Sequence, residues 1–277
     1  MKFGLGIFPT DRSISPVELA VAAEAAGFES FWAPEHTHIP LSEFHFPGGG
    51  GPVAEMYKRS LDPFVALGAC AAATSTIRLG TGICLIIERD PIVLAKEVAT
   101  LDLLSGGRFL FGIGAGWNRI EMANHGTDPS TRFSLMAERV DVLKTIWRED
   151  EASFEGRFHS FDPIWCWPKP VQSPHPPVLV GGNGRRVLER VVAYGDEWMP
   201  NAFSPDALAV RVAELQSTAA AAGRDRIPVS VFGSKPDASL VARFEAAGAD
   251  RVTFWVPSEG RDVVLPLVEQ YASLITG

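Results

Sequence analysis

The sequence predicts an α/β fold, a single (β/α)8 barrel, on three observations. Short apolar runs alternate with helix-length stretches along the chain, helix starts and stops carry the same punctuation each time, and no glycine fingerprint follows the first strand. The runs are continuous in Ile, Val, Leu and Phe instead of alternating with polar residues, as strands of a parallel sheet covered by helices should be.

The first strand, Lys2–Phe8, leads into Pro9-Thr10-Asp11-Arg12, without the glycines that a doubly wound dinucleotide-binding sheet places there. Ser15-Pro16 then opens a helix over Pro16–Ala26. The hydroxyl can cap free N–H groups, proline at the first position loses no useful donor, and Glu18 completes a capping box. Gly27 stops this helix, as Gly106, Gly195, Gly223 and Gly248 stop later ones, each where a left-handed residue is expected. After the second strand, Ser30–Ala33, the interval from His36 to Leu61 is too long for a bare loop. It contains Gly48-Gly49-Gly50-Gly51-Pro52 and falls on the face where barrel active sites form, so it is a candidate lid.

Asp62-Pro63 starts the helix Pro63–Thr74, and the third strand, Arg78–Ile86, follows. Asp90-Pro91 precedes the helix Ile92–Leu104, the fourth strand is Arg108–Ile113, and Arg132–Trp147 is helical. The second long interval, Glu149 to Pro176, follows a helix and so belongs to the opposite face. There Phe154-Glu155-Gly156-Arg157-Phe158 reads as a small hairpin covering the barrel base. The rest repeats the unit: strands Val178–Val180, Glu197–Pro200, Ile227–Phe232 and Arg251–Val256, with helices Gly184–Tyr194, Pro205–Ala222 behind Ser204-Pro205, Ala238–Ala247, and Asp262–Ile275. One domain, residues 1–277, holds all eight units, with insertions after strand two and before strand five.

A formal charge of −8 and the lack of a basic block argue against nucleic acid as a partner, because phosphate binding needs clustered Lys and Arg. The longest uncharged stretch, Pro63 to Ile77, is too short to span a bilayer, so no membrane partner is expected. The opening MKFGLGIFPTDR has only a brief apolar run before Asp11, and Cys70, Cys84 and Cys166 read as reduced packing residues; a cytoplasmic chain is expected.

Chemistry is expected where strand tips converge. Glu35 and His36 follow the second strand, a carboxylate and an imidazole suited to acid–base work, though loop residues bonded to water would look the same. His36-Thr37-His38 raises a metal site, but the other tips, Gly181-Gly182-Asn183, Pro200-Asn201 and Pro257-Ser258-Glu259, supply no further ligands, so no metal is expected. Gly80 and Gly82 inside the third strand mark a bulge, a strained peptide, close approach of a ligand, or tight packing. Gly112-Ile113-Gly114-Ala115-Gly116-Trp117-Asn118 ends the fourth strand. Gly181-Gly182-Asn183-Gly184-Arg185-Arg186 runs from the fifth into a helix, where exposed N–H groups beside arginine make a phosphate-binding site. A large elongated ligand touching several strand tips accounts for this spread.

Together with Ile77-Arg78-Leu79-Gly80-Thr81-Gly82-Ile83, Arg89-Asp90-Pro91, Leu94-Ala95-Lys96-Glu97 and Leu104-Ser105-Gly106-Gly107-Arg108, these motifs resemble, over nearly the whole chain, the bacterial luciferase-like family of flavin- and deazaflavin-dependent oxidoreductases. The glycine run at 48–51 and Leu61-Asp62-Pro63-Phe64-Val65-Ala66-Leu67 resemble its shorter members, which are assigned coenzyme F420. The resemblance implies a non-prolyl cis peptide at Gly82-Ile83 against one face of the ring. It implies His36 as the proton-transfer residue, with Glu35, standing where Asp is common, orienting or polarising it. It further implies phosphate contacts from Gly181, Gly182 and Asn183 with Gly184 and Arg185 nearby, and a ring or substrate wall from Gly114, Gly116, Trp117 and Asn118.

The implied function is hydride transfer between the deazaflavin C5 and a small organic substrate, with an FMN monooxygenase as the alternative. A metal hydrolase and a non-catalytic cofactor-binding protein are weaker readings. Candidate pocket residues are Phe8, His45, Phe46 and Trp198, and a homodimer is expected by analogy. The segment Gly233-Ser234-Lys235-Pro236-Asp237 is much shorter than the luciferases' mobile lid, against light emission from a long-chain aldehyde.

Overall fold

The computed structural model describes residues 1–42, 53–201 and 203–275. Its strands are β1 (Lys2–Gly6), β2 (Ser30–Ala33), β3 (Arg78–Thr81), β4 (Phe109–Gly114), β5 (Val178–Gly181), β6 (Glu197–Met199), β7 (Ser230–Ser234) and β8 (Arg251–Trp255). They pair in parallel in the order β7-β8-β1-β2-β3-β4-β5-β6, and bridges Trp198↔Val229 and Asn201↔Phe232 join the two ends. The fold is thus the expected barrel of parallel strands with helices outside. The strand tips Gly6, Ala33, Thr81, Gly114, Gly181 and Met199 share one rim.

Inside, Trp32, Leu110, Leu179, Met199 and Phe232 form one apolar layer. The Trp32 ring fills the space across from Gly80, where a Cβ would lie 2.3 Å from the ring. Gly80 is therefore a packing position. Nearer the N-terminal end, Arg251 is 2% exposed and bonds Glu29 at 2.9 and 3.0 Å and Glu197 at 2.7 Å. This buried ion cluster fills the base because every charge has a partner. A second, larger core lies between the strands and the helices.

Helix punctuation works mostly as expected. Asp62, Asp90 and Ser204 accept hydrogen bonds from the first turns of their helices. Gly27, Gly106, Gly223 and Gly248 take positive φ. Two positions differ. Ser15 makes no capping bond, and Glu18 pairs instead with Arg261 at 2.9 Å. Gly195 has φ −89°, and a Cβ there would meet Val180 at 2.6 Å, so close helix–strand packing accounts for the glycine.

The third strand is interrupted: after Thr81 the chain passes a cis Gly82–Ile83 peptide into a two-residue strand, Cys84–Leu85, paired with β4, and a 3-10 turn, Ile86–Glu88. β7 begins at Ser230, beyond Pro228, which has no N–H for a ladder. The hairpin Ala152–Glu155 with Ser160–Ile164 forms, but its turn is held by Glu138, whose carboxylate accepts N–H bonds from Arg157, Phe158 and His159 at 2.7–2.8 Å. Glu138 lies mid-helix in Arg132–Arg148, so the hairpin packs along that helix's flank and does not cap the base. Two short helices, Glu55–Lys58 and Arg119–Asn124, come in addition to those expected. The glycine run at 48–51 with Pro52, and the candidates His45 and Phe46, lie outside the described residues.

Among the described residues no helix is long and apolar enough to cross a membrane. The three cysteines are buried and free, and burial pushes the Cys70 thiol up to about 12.

Candidate active site

A cavity of about 1000 Å³ opens at the C-terminal rim of the barrel. Glu35, His36, Gly82, Ile83, Gly114, Gly116, Trp117, Gly181, Gly182 and Gly184 all line it. Asn118, Asn183 and Arg185 are absent from its wall.

His36 lies three residues past the end of β2 and is 8% exposed. Its Nδ1 lies 2.8 Å from Oε2 of Glu121, a carboxylate that is 1% exposed and also accepts the Thr37 N–H at 3.1 Å. An ionised carboxylate only accepts, so Nδ1 carries a hydrogen and Nε2 is the nitrogen left for the cavity. The ring sits beside Trp117, centroids 5.7 Å apart, and Tyr57, at 5.2 Å.

The expected partner, Glu35, does something else. Its Oε2 accepts the Leu85 N–H at 2.6 Å and its Oε1 the Arg89 Nε–H at 2.7 Å. Glu35 therefore ties the segment after Ile83 to β2 and does not orient His36. Arg89 continues the network to Asp62 and Glu97. Burial works against the Arg89 charge, but Glu35 and its other acidic neighbours hold it upward and cationic.

Glu121 was missed because it lies 85 residues from His36. A local signal existed: Asn118-Arg119-Ile120-Glu121 is a polar cap followed three residues later by Glu. Asn118 is that cap, its Oδ1 accepting from Ile120 and Glu121 at 3.1 Å, so it starts the helix that carries Glu121 and does not wall the pocket.

The glycines of β4 and β5 have a packing reason besides ligand access. A Cβ on Gly114 would lie 2.3 Å from Ile83 Cδ1, and one on Gly181 2.9 Å from Ile83 Cγ2. Ile83 thus seats into a slot that these glycines vacate, and its position on the cavity wall follows.

Beyond β5 the expected anion cradle changes composition. The helix begins at Val187, three residues later than predicted, and Gly182 (φ +114°) spends its N–H on the Met199 carbonyl at 3.2 Å. Asn183 is tied to Asn201 at 3.0 Å, Arg185 is exposed, and Trp198 is fully buried with its Nε1 on the Gly182 carbonyl at 3.0 Å. The cation at this end is Arg190, whose guanidinium lies 3.9 Å from the Phe133 ring centroid and whose Nε is buried without a partner. Its signal was positional: Arg190, half-buried, falls at i+3 on the stripe whose buried members are Val187, Val191 and Tyr194 at i, i+4 and i+7. The opposite end is apolar, with Phe8 stacked on Trp255, centroids 5.4 Å apart, and Tyr57 at 4.6 Å from Phe8.

His38 does not join His36 on a shared ion, for its Nδ1 faces Thr37 Oγ1 at 2.9 Å and its Nε2 faces Asn124 at 2.9 Å.

Comparison with known proteins agrees with this architecture. An uncharacterised protein of Mycobacterium tuberculosis is 41% identical over 99% of this chain and 98% of its own length. An FMNH(2)-dependent dimethylsulfone monooxygenase of Pseudomonas putida is 30% identical over 82% of this chain and 59% of its own. An F420-dependent hydroxymycolic acid dehydrogenase of M. tuberculosis is 27% identical over 90% and 64%. The crystal structure of monooxygenase RslO1 from Streptomyces bottropensis superposes with a TM-score of 0.82 at 20% identity, covering 99% of this chain and 97% of that one. The profile described as luciferase-like monooxygenase matches residues 14–255, and with the barrel, the rim cavity and these relatives in place, the chain belongs to the luciferase-like monooxygenase family.

Proposed function

We propose that the chain is a coenzyme F420-dependent oxidoreductase that moves a hydride between the deazaflavin C5 and a small organic substrate. The observation that carries this reading is His36, buried on the cavity wall with Nδ1 fixed by Glu121. Interconverting an alcohol and a carbonyl moves a proton on oxygen whenever a hydride moves on carbon, and the Nε2 of His36 can take or give that proton. When bound, the deazaflavin supplies the hydride chemistry.

The residues present fit such a group. About 1000 Å³ accommodates a flat ring system with a tail, and Arg190 offers a buried Nε that lacks an acceptor. Ile83 and Gly82 would back one ring face, Trp117 would wall the ring, and Arg190 beside Gly184 would hold the phosphate in place of Arg185. The aromatic end, Phe8 and Trp255, would take the substrate's apolar part and exclude water. The relative named as an F420-dependent dehydrogenase supports this reading.

A second reading keeps the fold and takes FMN with oxygen. It is favoured by the P. putida relative, named for FMNH(2) and 30% identical. A spectroscopic titration separates the two: deazaflavin should bind at micromolar concentration and FMN more weakly. Arg190→Ala should weaken deazaflavin binding about tenfold or more, the loss of one charge-assisted contact. FMN binding in preference to deazaflavin would refute the first reading and support the second.

A further inference from the structure

The charged side chains of the cavity are sorted along its length. Among the described residues Arg190, beyond β5, is the one arginine or lysine on its wall, and Glu35, Glu55 and Glu259 are the carboxylates. β1 and β5 stand opposite each other in the closed ring of strands, so Phe8, two residues past β1, lines the end away from Arg190.

Two of the three carboxylates are already spent. Glu35 is bonded to Leu85 and Arg89. Glu55 pairs with Lys58 at 2.9 Å and Arg59 at 3.2 Å, and Arg59 also holds Asp11 at 2.8 Å, so two cations there meet two carboxylates. Glu259 is exposed and makes no ion pair among the described residues. It follows Ser258, whose Oγ bonds the Phe8 carbonyl at 2.8 Å and touches Met56 Sδ at 3.6 Å, which sets the Glu259 charge at the mouth of the aromatic end.

The wall of that end is a run of rings. From His36 it passes to Tyr57, centroids 5.2 Å apart, then to Phe8 at 4.6 Å, Trp255 at 5.4 Å and Phe232 at 5.1 Å. Phe232 packs against Gly82, where a Cβ would lie 2.2 Å from its Cζ, so the run ends at the peptide that would back the ring. Trp255 has its place because Gly6 and Gly233 carry no Cβ: one on either would stand 3.3 or 3.0 Å from the indole. Such a wall takes a flat apolar group through face and edge contacts, and offers a carboxylate or phosphate nothing in exchange for its water.

We propose that the substrate is an uncharged secondary alcohol, or its ketone, with an aryl group on the reacting carbon, and that Glu259 and the ring wall turn away its carboxylated and phosphorylated counterparts. The reacting oxygen meets Nε2 of His36, and the aryl group lies along Tyr57, Phe8 and Trp255. An anionic substituent loses its hydration against these rings and faces the Glu259 charge, while Arg190, the cation that could hold it, is at the other end.

The reaction rests on the function proposed above, and the choice of ligand does not, so the choice is read on the protein without cofactor. The indole N–H signal of Trp255 in nitrogen-15 NMR, assigned by Trp255→Phe, reports this end of the cavity, and a carboxylate drawn to Arg190 leaves it unmoved. Acetophenone should shift that signal at about tenfold lower concentration than 4-acetylbenzoate, and at about threefold lower concentration than cyclohexyl methyl ketone, which has the size without the flatness. In Glu259→Lys the gap between acetophenone and 4-acetylbenzoate should shrink about threefold or more. Acetophenone bound no tighter than either comparison ketone, or a gap unchanged in Glu259→Lys, overturns the proposal. A preference for acetophenone in a protein that neither binds nor reduces deazaflavin upholds the ligand class and overturns the function. Deazaflavin bound and reduced without that preference does the reverse.

Discussion

On the proposed function, His36→Ala should lower kcat by about 10²- to 10⁴-fold, while the affinity for deazaflavin and the melting temperature should stay close to wild type. The imidazole lines the cavity with Nδ1 against Glu121 and Nε2 left over, and its removal leaves a small void beside Trp117 and Tyr57. Glu121→Gln should give a smaller loss of the same kind, because an amide can still meet Nδ1 but no longer favours a charged ring. Glu35→Gln should behave differently. It uncouples Leu85 and Arg89 from β2 and lowers thermal stability before it touches the proton-transfer step. Steady-state kinetics and a melting curve on the three variants check this. A Glu35→Gln enzyme that is stable but shows the pH profile of Glu121→Gln would reassign the orienting role.

Gly112→Ala carries the largest expected loss of stability. A Cβ at Gly112 would stand 2.0 Å from the Thr81 carbonyl oxygen and 2.9 Å from Met199 Cε. The first contact is backbone, and Thr81 Oγ1 also bonds the Gly112 carbonyl at 2.7 Å, so β3 and β4 cannot part without breaking a buried bond. Overpacking of this kind costs about 3 kcal/mol or more, a fall in Tm of roughly 5 °C or more for a chain of this size. Gly68→Ala supplies the contrast. It lies in the helix Pro63–Ala73 with nothing near its Cβ, and alanine there should add about 0.5–1 kcal/mol. Equal effects from both variants would contradict the packing account of the barrel glycines.

The alternation of strand and helix could be read in the chain because its signals are local. Asp62, Asp90 and Ser204 cap the helices they precede, and four of the five expected glycine stops take positive φ. Gly195 and Ser15 misled because one glycine can serve packing as well as turning, and a capping residue can stand unused. The site was legible down to its wall but not its pairings. His36 and the rim glycines are set by strand tips, whereas Glu121 meets His36 across 85 residues and Arg190 reaches the cavity from inside a helix stripe. Which carboxylate meets His36 depends on the angle of the helix Arg119–Asn124 over the rim, a tertiary quantity with no period or spacing to betray it. Arg185 drew notice by standing next to glycines, yet it is exposed ahead of the helix, and the cavity is lined by Arg190, one turn into it.

A site that pairs a flat redox ring with a carboxylate-backed imidazole should complete hydride transfer without oxygen. Mixing the protein anaerobically with oxidised deazaflavin and a panel of small secondary alcohols in a stopped-flow spectrometer should bleach the ring absorbance in the wild type and leave it intact in His36→Ala. An enzyme that never bleaches deazaflavin under nitrogen, and that forms product only with reduced FMN and oxygen, would contradict the account.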